Sequence, residues 1–202
     1  MLYPIELRAH GVRWELLSRD AGGACNPLWR EGRDLATTRS RWEMQIEGIA
    51  VDYSLLEQQV AAMLADERDV IANCANFAAF IYHEVPVVNW AGFYFPAPFG
   101  LVLGPFAGRP ACTRLATGKG VCGAAFESGR TLVVPDVDAF SDHIVCDSAS
   151  KSEIVIPLIV DRKKQGVFDI DSPVLDRFSD IDRDGLERLV ARFLEATPLA
   201  SR

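Results

Sequence analysis

The chain has 202 residues, of which 49% are hydrophobic and 24% charged, and its formal net charge is −7 at pH 7. This size and composition indicate one folded domain with a sizeable core, and the acidic balance argues against nucleic acid, which needs clustered Lys and Arg. No apolar run approaches the roughly 20 residues of a membrane-spanning helix, and the opening residues lack a signal-peptide core. We therefore expect a cytoplasmic protein whose cysteines are free thiols.

Residues 1–50 differ from the remainder, because glycines and prolines interrupt them and their apolar residues keep neither the helix period nor the strand period. We interpret them as an N-terminal appendage of uncertain role, ahead of a domain over residues 51–202. One hypothesis is that Met44 is the biological start; an extra helix packed on the domain fits equally well. Cys25 therefore receives no functional role.

Two helices are predicted at the start of the domain. Ser54 and Glu57 form a capping-box pattern, and the apolar residues that follow recur at helical spacing. A second helix is predicted from Ile71 to Tyr82. Cys74 and His83 belong to this helical pair, and we interpret both as structural residues.

A β-hairpin follows the helices. Val87–Phe95 is rich in β-branched and aromatic residues, and Leu101–Phe106 has the period of two that is typical of a half-buried strand. Trp90 and Tyr94 have the same strand parity and project from one face together with Gly92. We expect them to wall a shallow apolar slot over the glycine.

Two cysteines lie in the next segment. Ala111–Leu115 is predicted to be a short strand bearing Cys112, and a helix is predicted over residues 121–128. Cys122 would then lie in the first turn of that helix, where the partial positive charge favours a thiolate. Local electrostatics alone therefore indicate Cys122 as the more easily ionised thiol.

A long loop over residues 136–152 carries a third cysteine, Cys146. It follows a short predicted strand at 131–134 and has little apolar content. Loops of this length inside a domain are usually functional or disordered. The cysteine at its centre favours a functional loop.

A second hairpin is predicted after the loop. Its first strand is Glu153–Val160, and Pro157 within it indicates an edge or bulged position. A turn over residues 161–166 leads into Val167–Asp171. Asp169 and Asp171 share one face of that strand, so their carboxylates form a pair by geometry.

The last helix is predicted to begin after Ser179, a good N-cap residue, and to end before Pro198. Strand–helix–strand alternation does not dominate the order of elements. We therefore predict an α+β domain, with a central antiparallel sheet and helices packed mainly on one side.

Three chemistries compete for the cysteines. A zinc site could combine His143 and Cys146 with Cys112 and Cys122, although the close cysteine pair of structural zinc sites is missing. Acyl transfer could use Cys146 with His143, but no residue clearly orients that pair. Thiol redox chemistry needs a nucleophilic thiolate and a second thiol, and the cysteines at loops and element ends provide both.

Six stretches of the chain carry a specific family resemblance: Asn89–Tyr94, Gly104–Phe106, Ala111–Arg114, Gly118–Gly123, Val134–Val137 and His143–Ile154. They resemble the free methionine-(R)-sulfoxide reductases, which are GAF-domain enzymes. The resemblance covers about residues 54–195 and leaves the N-terminal appendage outside.

The resemblance implies that Cys146 is the nucleophile, that Cys112 resolves its sulfenic acid as a disulfide, and that Cys122 is an auxiliary thiol. It also implies thioredoxin as reductant, a homodimer, and no cofactor or metal. The helix-dipole argument favours Cys122 instead. We follow the resemblance, because attack depends on which thiol faces the sulfoxide and a moderately basic thiolate can be the faster nucleophile.

The same resemblance implies that Glu153, Asp169 and Asp171 are catalytic and substrate-binding acids. Clustering should raise at least one of their pKa values and leave a proton donor near neutral pH, while the others hold the substrate's ammonium group. Trp90 and Tyr94 would enclose the S-methyl end. Backbone N–H groups near Cys146 would bind the substrate carboxylate.

The main alternative is a sensory module. GAF domains also bind small ligands such as cyclic nucleotides without catalysis. Ligand binding without methionine formation would favour that alternative.

Overall fold

The computed structural model describes residues 51–141, 144 and 146–199 of the chain. Its helices are α1 (Tyr53–Met63), α2 (Val70–Glu84), α3 (Gly120–Ser128) and α4 (Asp180–Ala196). Its strands are β1 (Trp90–Ala97), β2 (Gly100–Gly108), β3 (Arg114–Ala116), β4 (Leu132–Val134), β5 (Ser152–Val160) and β6 (Lys163–Ser172). The predicted N-terminal appendage, with Cys25 and Met44, lies outside the described residues.

One sheet joins all the described strands in the order β3-β2-β1-β6-β5-β4, and every neighbouring pair is antiparallel. Strands β1 and β6 therefore lie at its centre. The predicted α+β class with an antiparallel sheet is confirmed. None of the helices in the described part of the chain is long and apolar enough to cross a bilayer.

The two faces of the sheet pack against different helices. On one face Phe93 and Phe168 pack with α1, α2 and α4 to form the larger core. On the other, Tyr94, Val155 and Val167 pack with α3. Because side chains alternate along a strand, β1 and β6 contribute to both faces, and the helices lie mainly on one side, as predicted.

The first helix begins before the predicted capping box. Asp52 Oδ1 accepts hydrogen bonds from the backbone N–H groups of Ser54 and Leu55, both at 3.1 Å, so Asp52 is the N-cap. Glu57 instead accepts a hydrogen bond from Arg192 Nε on α4, at 2.9 Å. The capping-box prediction was wrong because aspartate and serine are about equally good N-caps, and the sequence pattern does not choose between them.

The hairpin between β5 and β6 is tighter than predicted. The strands run to Val160 and from Lys163, so the turn consists of Asp161 and Arg162 rather than residues 161–166. Both turn residues have positive φ, 49° and 63°, as in the two-residue turns whose twist matches an antiparallel pair.

Pro157 lies where the sheet tolerates a residue without an N–H group. Strand β4 pairs with β5 only as far as the partners Leu132 and Val155. Beyond that point, β6 is the one strand of the described residues that pairs with β5. The predicted edge position of Pro157 is therefore confirmed.

Four phenylalanines form the centre of the larger core. Phe77 on α2 lies 4.9 Å from Phe168 and 4.9 Å from Phe193, measured between ring centroids. Phe93 packs against the same two rings at 4.6 Å and 5.0 Å. This cluster joins the two central strands to α2 and α4.

Replacing Phe77 by alanine is expected to lower the free energy of unfolding by about 3–5 kcal/mol, because it removes a fully buried ring and leaves a cavity. Urea unfolding followed by circular dichroism measures the change. The matched control is Phe99→Ala at the β1–β2 turn, where the side chain is 92% exposed and the change should stay within about 0.5 kcal/mol. Equal losses in the two variants would contradict the assignment of the core.

Candidate active site

A cavity lies over the face of the sheet that α3 covers. Predicted site residues line it from three strands, one helix and one loop: Tyr94, Cys122, Cys146, Glu153, Asp169 and Asp171. Strands β1, β5 and β6 position the tyrosine and the acids, α3 positions Cys122, and the loop before β5 positions Cys146. These are six of the eight residues that the sequence indicates. The other two do not line the cavity: Cys112 packs beside it and Trp90 lies behind its wall.

The three acids meet because of strand register. Glu153 on β5 is paired directly with Asp171 on β6, and Asp169 lies two residues from Asp171 along the same strand. Side chains with this register project from one face. Glu153 and Asp169 are buried, at 6% exposure each, and Asp169 Oδ1 has no hydrogen-bond partner among the residues that the structure describes.

Burial raises the pKa of all three carboxyl groups. It raises the pKa of Asp169 to about 6, an increase that hydrogen bonds from Cys122 and Glu153 limit. The pKa of Glu153 is raised well above its usual value, first by burial and then by Asp169 and Asp171. Burial followed by Asp169 does the same for Asp171. The predicted rise is confirmed, although burial outweighs mutual repulsion as its cause.

Cys122 lies in the first turn of α3, as predicted, but its thiol is not activated there. Its Sγ is 3.9 Å from Glu153 Oε1, and burial, followed by Asp169 and Glu153, raises its pKa well above the usual value. A helix N-terminus contributes about 0.3–1 kcal/mol, or about 2 in favourable sites, whereas burying a thiolate beside carboxylates costs more. The predicted thiolate at Cys122 was wrong for this reason.

Cys112 and Cys146 are in direct contact. Their side chains are hydrogen-bonded, and burial, followed by this bond, raises the pKa of the Cys146 thiol. The backbone N–H of Cys112 partly offsets that rise. Cys112 lies in the loop before β3 rather than on the predicted strand, and Tyr94 Oη donates to its carbonyl oxygen at 3.0 Å. Both cysteines are free thiols and partly buried.

Trp90 and Tyr94 project from one face, as predicted, but they do not leave a slot. Their rings stack with centroids 5.9 Å apart, and the Trp90 ring lies over Gly92, where an added Cβ would be 2.5 Å from Trp90 Cη2. Trp90 Nε1 donates to the Arg109 carbonyl oxygen at 3.0 Å. Trp90 therefore supports Tyr94 from behind, and Tyr94 faces the cavity.

Several lining residues were not singled out from the sequence: Leu115, Lys119, Gly120, Val121, Ile144, Asp147 and Ser150. Asp147 Oδ1 accepts a hydrogen bond from the Ala149 N–H at 2.9 Å. This Asx turn is a recognisable signal in the stretch Asp147–Ser150. It indicates that the loop turns back toward β5, which places Ser150 at the site.

His143 lies outside the described residues, so neither the zinc set that was weighed as an alternative nor the Cys146–His143 pair is described. Among the described residues, Cys122, Glu153 and Asp169 each offer a ligand atom, and these atoms lie within 4.8 Å of one another.

The raised pKa of Cys122 predicts slow alkylation at neutral pH, because the thiolate is the reactive form. The midpoint of its reaction with iodoacetamide should lie above the usual cysteine pKa of about 8.5. Removing the Asp169 charge in Asp169→Asn should shift that midpoint to lower pH, as peptide-resolved mass spectrometry can measure. Asp138→Asn, at an exposed acid, should leave it unchanged; equal midpoints in the three proteins would contradict the electrostatic assignment.

Comparisons with known proteins identify the family of the chain. A family model of the GAF domain matches residues 8–197. The free methionine-R-sulfoxide reductase of Escherichia coli (strain K12) is 46% identical over 140 residues, 69% of this chain and 85% of the relative. The protein of that name from Saccharomyces cerevisiae is 42% identical over 127 residues, 59% of this chain and 71% of the relative.

A solved structure is similar as well. The free methionine-R-sulfoxide reductase from Neisseria meningitidis, in complex with its substrate, aligns with a TM-score of 0.70 and 42% identity over 74% of this chain and 90% of that chain. The fold and the matched model define a GAF-domain protein. More particularly, the chain belongs to the family of free methionine-(R)-sulfoxide reductases, as the sequence resemblance predicts.

Proposed function

We propose that this protein reduces free L-methionine-(R)-sulfoxide to methionine by thiol chemistry at Cys146. The observation that carries this proposal is the hydrogen-bonded thiol pair of Cys146 and Cys112 beside a cluster of buried carboxyl groups. A sulfoxide needs a sulfur nucleophile on one side and a proton donor at its oxygen on the other. The cavity supplies both.

In the first step the Cys146 sulfur attacks the sulfoxide sulfur and the S–O bond breaks. The oxygen passes to Cys146, which becomes a sulfenic acid as methionine is released. The departing oxygen develops negative charge, so a hydrogen-bonded or transferred proton stabilises it. The raised pKa of Glu153 keeps this acid protonated near neutral pH for the task.

In the second step the Cys112 thiol attacks the sulfenic acid sulfur. A disulfide forms between Cys112 and Cys146, and the oxygen leaves as water. The existing contact between the two side chains supports Cys112 as the resolving residue, because the backbone needs little movement. Cys122 bonds to the acids instead and serves as an auxiliary thiol.

Recognition of a free amino acid requires partners for its ammonium and carboxylate groups. The acid cluster provides ionised oxygens for the ammonium, and Asp169 Oδ1 is buried without a partner. The N–H groups of Ala149 and Ser150 already donate to Asp147, so the carboxylate needs other donors along the loop, aided by Lys119 in the cavity wall. Tyr94, supported by Trp90, encloses the S-methyl end.

Turnover requires a reductant, and we propose reduced thioredoxin, whose dithiol exchanges with the Cys112–Cys146 disulfide. Cys112 is only partly buried, which leaves one sulfur of that disulfide within reach of an attacking thiol. We further propose a cytoplasmic location, as the sequence composition indicates, and a homodimeric assembly, as the family resemblance implies.

A reductase assay tests the proposal. Methionine should form from free L-methionine-(R)-sulfoxide, but not from the (S) epimer or from N-acetylmethionine sulfoxide, which lacks the ammonium charge. Binding of a cyclic nucleotide without methionine formation would overturn it in favour of a sensory module. Carboxyl groups buried in the cavity argue against that outcome, because they repel a phosphate.

A further inference from the structure

Ser150 connects the loop that carries Cys146 to the carboxyl group of Asp171. Its side chain hydrogen-bonds to Asp171, and its Oγ accepts a hydrogen bond from Asn89 Nδ2 at 3.2 Å. The hydroxyl can donate one hydrogen bond while it accepts the other. Ser150 is 6% exposed and Asn89 is partly buried, so the bonds at the Ser150 hydroxyl are largely shielded from water, which strengthens them.

Asn89 holds the other end of this connection. Its backbone N–H donates to the Asp171 carbonyl oxygen at 3.0 Å, directly before the β1–β6 pairing of Trp90 with Asp171. The Lys151 N–H donates to the Ser172 carbonyl oxygen at 2.7 Å, which ties the loop to β6 from its own backbone. The side chains of Asn89 and Ser150 therefore fix where the Cys146 loop meets the acid-bearing strand.

We propose that Asn89 and Ser150 are positioning residues, which hold the Asp171 carboxyl group and the Cys146 loop at a fixed separation so that both meet one substrate molecule. The inference rests on the proposed function, since that reaction requires the nucleophile and a carboxylate that binds the substrate's ammonium group to meet the same molecule. Ser150 acts through Asp171, and Asn89 acts through Ser150.

Breaking the connection from Asn89 through Ser150 to Asp171 should change the pKa of Asp171, which can be measured. Burial, followed by Asp169 and then Asp147, raises the pKa of Asp171, whereas the hydrogen bond from Ser150 lowers it. The other ionisable groups among the described residues that line the cavity are Tyr94 on β1, Glu153 on β5, Cys122 on α3, Cys146 on the loop and Lys119 before α3. Loss of the Ser150 hydroxyl should raise the pKa of Asp171 further, so the carboxylate would form only at higher pH.

The test compares Ser150→Ala with Ser148→Ala, which removes an exposed hydroxyl from the same loop. For free L-methionine-(R)-sulfoxide, Ser150→Ala should lower kcat/KM by about tenfold or more, mainly through KM. The acid limb of its pH profile should move to higher pH. Asn89→Ala should change kcat/KM and the acid limb in the same direction, but by less. Ser150→Thr keeps the hydroxyl and should show the wild-type pH profile.

Three outcomes overturn the inference: Ser150→Ala behaves like Ser148→Ala, the acid limb does not move, or Ser150→Thr fails to restore the profile although its melting temperature matches that of the wild type. An unmoved pH profile with a lowered melting temperature would indicate a purely structural role. The wild-type protein is assayed in parallel. If the wild type forms no methionine, the proposed function is wrong. If the wild type is active and the variants match Ser148→Ala, only the positioning role of Asn89 and Ser150 is wrong.

Discussion

Cys146→Ser is expected to abolish methionine release from free L-methionine-(R)-sulfoxide, with a rate loss on the order of 10³-fold or more. The hydroxyl that replaces the thiol is a poor nucleophile toward sulfur and cannot form a sulfenic acid. Single-turnover assays by chromatography, without added reductant, measure this step alone.

The control for Cys146→Ser is Cys74→Ser on α2, because Cys74 is fully buried in the core on the opposite face of the sheet. It changes the number of thiols equally and should keep single-turnover activity. Full turnover by the Cys146 variant would assign the nucleophile to another residue.

Cys112→Ser is expected to separate the two halves of the reaction. The first turnover should still release methionine, because Cys146 is intact. Cycling driven by thioredoxin should fall on the order of 100-fold, since the thiol in contact with Cys146 is no longer present to capture the sulfenic acid as a disulfide. Comparing the first-turnover yield with the steady-state rate in the same preparation measures the difference.

Cys122→Ser is the companion variant, because it removes a cavity thiol without breaking the pair of Cys112 and Cys146. It should cycle faster than Cys112→Ser. If Cys112→Ser cycles normally and Cys122→Ser does not, the resolving role belongs to Cys122.

The fold could be predicted from local pattern to a large extent. Helix α2 keeps apolar residues at helical spacing, and Ser179 caps α4 in a capping box with Asp182. The alternation along β6 correctly places Phe168 in the core and Asp169 on the opposite face. These features depend on neighbouring residues in the chain, so a single sequence is enough to reveal them.

The pKa values and side-chain contacts of the site could not be predicted in the same way. Cys122 does lie at a helix start, but its pKa is raised first by burial and then by Asp169 and Glu153. These residues are distant in sequence and come close to it only in the folded sheet. Trp90 closes the expected slot because its ring lies back over Gly92, and strand parity does not specify a rotamer. The contact of Cys112 with Cys146 likewise joins two loops.

The most direct test of the central claim combines product and protein analysis in one reaction. Reduced wild-type protein receives excess free L-methionine-(R)-sulfoxide without reductant, and methionine and peptide-mapped disulfides are both quantified. We expect about one methionine per chain. Cys112 and Cys146 should each lose their thiol hydrogen and be joined in a disulfide. Methionine release while Cys146 stays a free thiol would contradict the central claim.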